Sequence, residues 1–247
     1  MDTGELLLVL GAVALGFFAK GVTGLGGPSL AIPVLASFMG VEYAVAVIAF
    51  PTALANIWLL LETKSAASDT RWFLVPMLAA GLVGTILGVW LLLNIDDRVM
   101  SVVLGVFMLL YIVWYLFNPE TRLADRAARR LAAPAGFGAG ALHGATGISA
   151  PVVATYIHSL HLPRPRFVFA VSVPFLVLGL AQIASLLALG GYDQERVVAG
   201  LLACVPVIVV TPIAMRLGKN LSVTAFQYAV LAILGLAAIR LLSSGLG

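Results

Sequence analysis

Hydrophobic residues in this chain run in long blocks, without the alternation of a half-buried strand or the one-sided spacing of a surface helix. Seven blocks, residues 4–20, 44–61, 72–95, 100–117, 167–189, 197–215 and 223–242, are each long enough to cross the hydrocarbon core of a bilayer. Three more, 28–39, 132–142 and 151–162, hold only 11 or 12 residues. As helix each spans roughly 18 Å against a core of roughly 30 Å, so they read as half-helices or re-entrant segments. The pattern predicts an all-α polytopic membrane protein.

Composition sharpens this picture. Of 247 residues, 62% are hydrophobic and 10% charged, with a mean hydropathy of +1.09. Too little polar sequence remains for a membrane-anchored enzyme with an aqueous head. The net charge of +3 sits in loops and forms no basic patch, so nucleic acid is excluded as a partner and the lipid bilayer is the expected one. Cys204 is the single cysteine and lies inside an apolar block, so neither an intrachain disulfide nor a thiolate metal site can be built. No metal and no cofactor are expected. The first five residues carry Asp2 and Glu5 and no basic residue, unlike the start of a cleaved signal peptide, so the first block is expected to persist.

The two halves of the chain repeat one another. Lys20-Gly-Val-Thr-Gly-Leu-Gly-Gly-Pro28 lies over His143-Gly-Ala-Thr-Gly-Ile-Ser-Ala-Pro151 at an offset of 123, pairing Gly21 with Gly144, Thr23 with Thr146, Gly24 with Gly147 and Pro28 with Pro151. The same offset pairs Ala31 with Ala154 and Pro51 with Pro174. The chain therefore reads as a duplicated unit: a first repeat over 1–118, a basic cytoplasmic linker over 119–131 and a second repeat over 132–247. Each repeat has five segments: a first helix, a Gly-x-Thr-Gly break, a short helix opening at Pro, and three long spans.

Charge bias orients them. If each break closes a hairpin that returns to its own side, Lys64, Arg71, Arg122, Arg126, Arg129, Arg130, Arg164, Arg166, Arg216 and Lys219 share one face. Only Arg98, Arg196 and Arg240 lie on the other. The richer face is cytoplasmic, and both termini are outside. Each repeat then makes an odd number of crossings, so the two copies are inverted, the architecture of secondary transporters with substrate near the midplane.

The breaks carry the chemistry. Irregular backbone at membrane depth persists only where it is buried in protein or lines a polar cavity. Pro28 and Pro151 suit the first turn of a helix, and the N–H groups of such a terminus, with the positive end of the helix dipole, favour an anion. The candidate substrate-binding residues are Lys20, Gly21, Thr23, Gly24, Gly26, Gly27 and Ser29 in the first repeat, and His143, Gly144, Thr146, Gly147 and Ser149 in the second. Lys20 is a fixed cation; His143 is titratable and is the candidate for proton coupling. Asn56 and Gln182 are mid-span amides and secondary pocket candidates. All eleven carboxylates fall near block ends or in loops, which favours an anion over a cation as cargo. Gly136, Gly140 and Gly144 form a small-residue stripe that serves packing within one chain as well as it would serve a homodimer.

Gly21-Val-Thr-Gly-Leu-Gly-Gly-Pro28 with Ala31-Ile-Pro33, and its echo Gly144-Ala-Thr-Gly-Ile-Ser-Ala-Pro151 with Tyr156, resemble the paired motifs of the sulfite exporter TauE/SafE family. The similarity covers essentially the whole chain. It departs from the common pattern at Ser149 and Ala150, where a Gly pair is usual. The resemblance implies a bacterial inner-membrane carrier of sulfite, sulfonates or related organosulfur anions. The resulting expectation is a secondary transporter, an exporter by its family, working by alternating access around a midplane anion site. Two rivals are a passive channel for the same anions and an intramembrane hydrolase with Ser149 as nucleophile and His143 as base.

Overall fold

Every regular element among the described residues is a helix. The structure, a computed structural model, describes residues 2–23, 27–63, 70–117, 124–217 and 223–246. In chain order the helices are α1 (Thr3–Thr23), α2 (Gly27–Met39), α3 (Val41–Thr63), α4 (Arg71–Asn94), α5 (Asp97–Leu116), α6 (Asp125–Thr146), α7 (Ala150–His158), α8 (Arg164–Ala188), α9 (Gln194–Leu202), α10 (Cys204–Leu217) and α11 (Val223–Leu246). Seven stretches are long and apolar enough to cross a membrane, one in each of the seven long blocks. The chain is a multi-pass helical membrane protein.

Local sequence explains the ends. Asp96 and Asp193 accept hydrogen bonds from the N–H groups of Arg98 and Arg196 and so cap α5 and α9. Asp97 reaches back to accept from Val41 N–H at 2.8 Å, capping α3. The interruption between α9 and α10, at Ala203, follows Leu202, over whose carbonyl the ring of Pro206 four residues on cannot sit in a continuous helix.

Three expectations change. The block 132–142 is not a half-helix: it is the inner part of α6, which has 22 residues. Polarity in its first turns hid its length, because Ala and Arg there are strong helix formers despite their low hydropathy. For the same reason residues 125–131, read from sequence as part of a linker, are helical. The Gly-x-Thr portion of each motif is helical as well, since α1 runs to Thr23 and α6 to Thr146, and the interruption begins only after the threonine. By contrast, α2 and α7 are short, with 13 and 9 residues, or about 20 and 13 Å.

The element order recurs at the offset seen in the sequence. Helices starting at 27, 41 and 71 in the first half have counterparts starting at 150, 164 and 194. Yet the chain forms two compact units that each draw on both halves: residues 1–51, 92–118 and 190–247 in one, residues 52–91 and 119–189 in the other. In the first unit α1 packs on α10 and α2, while α11 packs on α5 and α2. In the second, α6 packs on α7 and α8 and, through its glycines, on α4.

The second unit's α4–α6 contact leaves no room for side chains. A Cβ at Gly136, Gly140 or Gly144 would collide with the carbonyl of Met77, Gly81 or Thr85, and one at Gly84 or Gly88 with the carbonyl of Phe137 or Ala141. Between apolar helices in lipid such close backbone approach replaces the hydrophobic effect as the source of association. The glycine stripe of α6 thus packs within the chain. In the first unit a Cβ at Gly21 would strike Ala214 and the Thr211 carbonyl on α10. In both units, then, the helix carrying the Gly-x-Thr motif lies on the fourth segment of the opposite half.

Candidate functional site

In the first unit α1 delivers Lys20 one turn before its end. The residue is 7% exposed, buried within the first unit. Its aliphatic stem runs beside Gly27, where a Cβ would sit 3.3 Å from Lys20 Cδ. Its ammonium lies 5.9 Å from the centroid of the Phe17 ring. Lys20 thus lies beside the opening residue of α2. Ser29 is buried in the first turn of α2. Gly21 faces away, onto α10. Thr23 closes α1, and Gly24 and Gly26 lie outside the described residues.

In the second unit the break has a complete geometry. Gly147 adopts φ 68°, the left-handed conformation that suits glycine, and its N–H caps α6 by donating to the His143 carbonyl at 2.7 Å. Thr146 donates to the Leu142 carbonyl at 2.7 Å and accepts from Ile148 N–H at 3.3 Å, so its hydroxyl hydrogen is used within its own helix end. Ser149 occupies the position before α7 and gives no side-chain cap to it. Its hydroxyl instead meets His143 Nδ1 at 3.1 Å. From α8, the Gln182 amide donates to the carbonyls of His143 and Gly144, tying the end of α6 in place.

This arrangement assigns the histidine tautomer. Both residues are 2% exposed. The Nδ1 contact is the sole hydrogen bond of the Ser149 hydroxyl among the described residues. Were Nδ1 the donor, the hydroxyl hydrogen would be buried without an acceptor, a penalty of about 1–3 kcal/mol. Ser149 therefore donates to Nδ1, and the neutral ring carries its hydrogen on Nε2. That Nε2 is buried and has no partner among the described residues. The unit thus presents an unused N–H donor at the side of a broken helix, which suits a hydrogen-bond acceptor.

The structure brings together His143, Gly144, Ser149 and Gln182. Asn56, on α3, is 1% exposed, and its amide donates to the Thr52 carbonyl of its own helix. Sequence reasoning missed Thr211. Its hydroxyl oxygen is the other buried side-chain atom without a hydrogen-bond partner among the described residues, on the turn of α10 that receives Gly21. A polar residue followed by Pro212 in the middle of a span was the available signal. Among the described residues no group of three or more His, Cys, Asp or Glu is placed to hold a metal.

A multi-pass membrane protein with buried polar side chains beside two helix breaks has the architecture of a transporter. A family model described as "Sulfite exporter TauE/SafE" matches residues 8–241, and the chain belongs to that family. It is a membrane transporter of that type. No curated protein and no solved structure matches it.

Proposed function

We propose that the chain exports a small sulfur-containing anion, sulfite or a short organosulfonate, across the bacterial inner membrane by alternating exposure of an anion held at its helix breaks. The observation that carries this reading is the His143–Ser149 pair, which leaves a buried Nε2–H donor with no acceptor of the protein's own. Family membership supplies the sulfur class. The described carboxylates support an anion by where they fall: Glu5, Glu42, Asp97 and Glu195 all lie in first turns of helices, and none is placed mid-span.

In this reading each unit makes its own contacts to an anion: in the first, Lys20 offsets its charge, the N–H groups opening α2 receive its oxygens and Thr23 and Ser29 orient it; in the second, the N–H groups opening α7 receive it and His143 couples protonation to transport. The two repeats are inverted, with both termini outside. Ser149 beside His143 also has the look of a nucleophile and base. The other ring nitrogen, however, has no carboxylate among the described residues to orient it, and that third group is what an acyl-transfer triad needs. We read the pair as a binding device and the protein as a carrier.

Calorimetry on purified protein with sulfite, sulfate, thiosulfate, taurine, sulfoacetate and chloride, for wild type and Lys20→Ala, tests the assignment. Heat from a sulfur oxyanion that the substitution abolishes supports it. Silence with every sulfur anion, or a response indifferent to Lys20, overturns it.

A further inference from the structure

Glycine in mid-helix is unfavourable relative to alanine, and in this chain it is nearly always repaid by packing. The buried helical glycines at 16, 27, 81, 84, 88, 105, 136, 140, 144 and 200 each have a neighbour that an added Cβ would meet at 3.3 Å or less. Gly179, buried in α8, breaks that rule. A Cβ there would meet a single atom within 4 Å among the described residues, His143 Nε2, at 3.8 Å. Packing does not require glycine at this place. The missing side chain leaves a hollow instead, and the atom facing it is the buried donor that has no partner.

Neighbouring residues hold both walls still. Gln182, three residues further along α8 and so on the same face, donates to the carbonyls of His143 and Gly144. Ser149 fixes the imidazole from its other side through Nδ1 at 3.1 Å. Sequence register adds an independent sign, because the offset of 123 places Gly179 over Asn56: where the first half has an amide, the second has nothing beyond Cα.

We propose that Gly179 is the specificity-determining residue of the anion site, keeping open a hollow in which one oxygen of a small oxyanion accepts the hydrogen of His143 Nε2. The inference rests on the carrier reading and deepens it by assigning the place of one ligand atom. The hollow takes an acceptor, so the ligand class is an oxyanion and not a cation. Its walls are a helix backbone and a ring held by one hydrogen bond to Ser149 on a helix end tied by Gln182, so it gauges size closely.

The test is a pair of variants, Gly179→Ala and Gly179→Ser, read by calorimetry and by thermal unfolding against sulfite, sulfoacetate, taurine, acetate, nitrate and chloride. Alanine puts a methyl group into the hollow without striking backbone, and serine offers Nε2 an acceptor of its own. The expected result is that Gly179→Ala unfolds at a higher temperature than wild type yet binds the preferred oxyanion at least tenfold more weakly. Gly179→Ser is expected to lose binding further. Wild-type affinity in Gly179→Ala overturns the inference, and so does a lowered unfolding temperature, which would mark the glycine as a packing residue. If only acetate or nitrate binds, and binding is lost in Gly179→Ala, the hollow stands and the sulfur reading falls. If no oxyanion binds wild type, both fall.

Discussion

The two breaks share a sequence frame and differ in the cation placed ahead of it. In the first unit a lysine is buried against the opening of a 13-residue helix. In the second a histidine in the equivalent position is neutral in its described tautomer, clamped by Ser149 and Gln182 beside a 9-residue helix. Duplication has conserved the backbone device, a Gly-x-Thr helix end followed by Pro in the first turn of the next helix. Divergence has fallen on the charge. In the proposed reading one break offers a cation to the anion and the other a directional hydrogen-bond donor.

Gly21 and Gly144 offer the most severe way to break the comparison. Leucine at either position collides with a helix backbone or the Cβ lying on it, and overpacking of this kind costs about 1–3 kcal/mol or more. Both variants should fail to give folded protein on size-exclusion chromatography in detergent. A tolerated Gly21→Leu beside a lethal Gly144→Leu would show that the two helix contacts are not equivalent.

Lys20→Met should come next. Loss of a hydrogen bond to a charged group, about 1.5–3 kcal/mol, predicts anion binding weakened roughly tenfold to a hundredfold, with folding retained. Equilibrium binding at several ionic strengths checks it, since the buried interaction should resist salt more than a surface one would.

His143→Gln acts on control and so has a smaller effect at any one pH. Protonated histidine adds charge that favours an anion, so wild-type flux should vary with pH. Glutamine retains an amide donor but cannot titrate, and the profile should flatten. A profile in His143→Gln that matches wild type would remove proton coupling from the account.

The smallest effect concerns a contact distant from both breaks. Tyr192 lies in the loop before α9, where its hydroxyl donates to the Ala46 carbonyl at 3.0 Å and burial holds the phenol above its usual range. Tyr192→Phe should cost about 1 kcal/mol in unfolding and leave anion binding unchanged.

Much of this was legible in the sequence because lipid enforces simple rules. The seven long apolar blocks became seven membrane-crossing stretches, since a bilayer of fixed thickness selects length and hydropathy directly. Duplication could be read from the motif because the helix starts kept its register. The length of α6 could not, because hydropathy is blind to the helix-forming power of Ala and Arg. Nor could the pairing of α1 with α10 and of α6 with α4, which depends on packing between distant segments. At the site, Lys20, His143 and Ser149 were visible as polar residues beside a break. Gly179 and Thr211 were not, one because a hollow has no side chain to notice and the other because a lone threonine in a span is ordinary.

The account's central claim is that this chain moves a small sulfur oxyanion, and the most direct measurement is counterflow of labelled sulfite in proteoliposomes. With wild type, internal unlabelled sulfite should drive accumulation of external label, sulfoacetate should compete, and Lys20→Met should abolish the signal. Accumulation that ignores internal sulfite, or is the same in liposomes without protein, would contradict it.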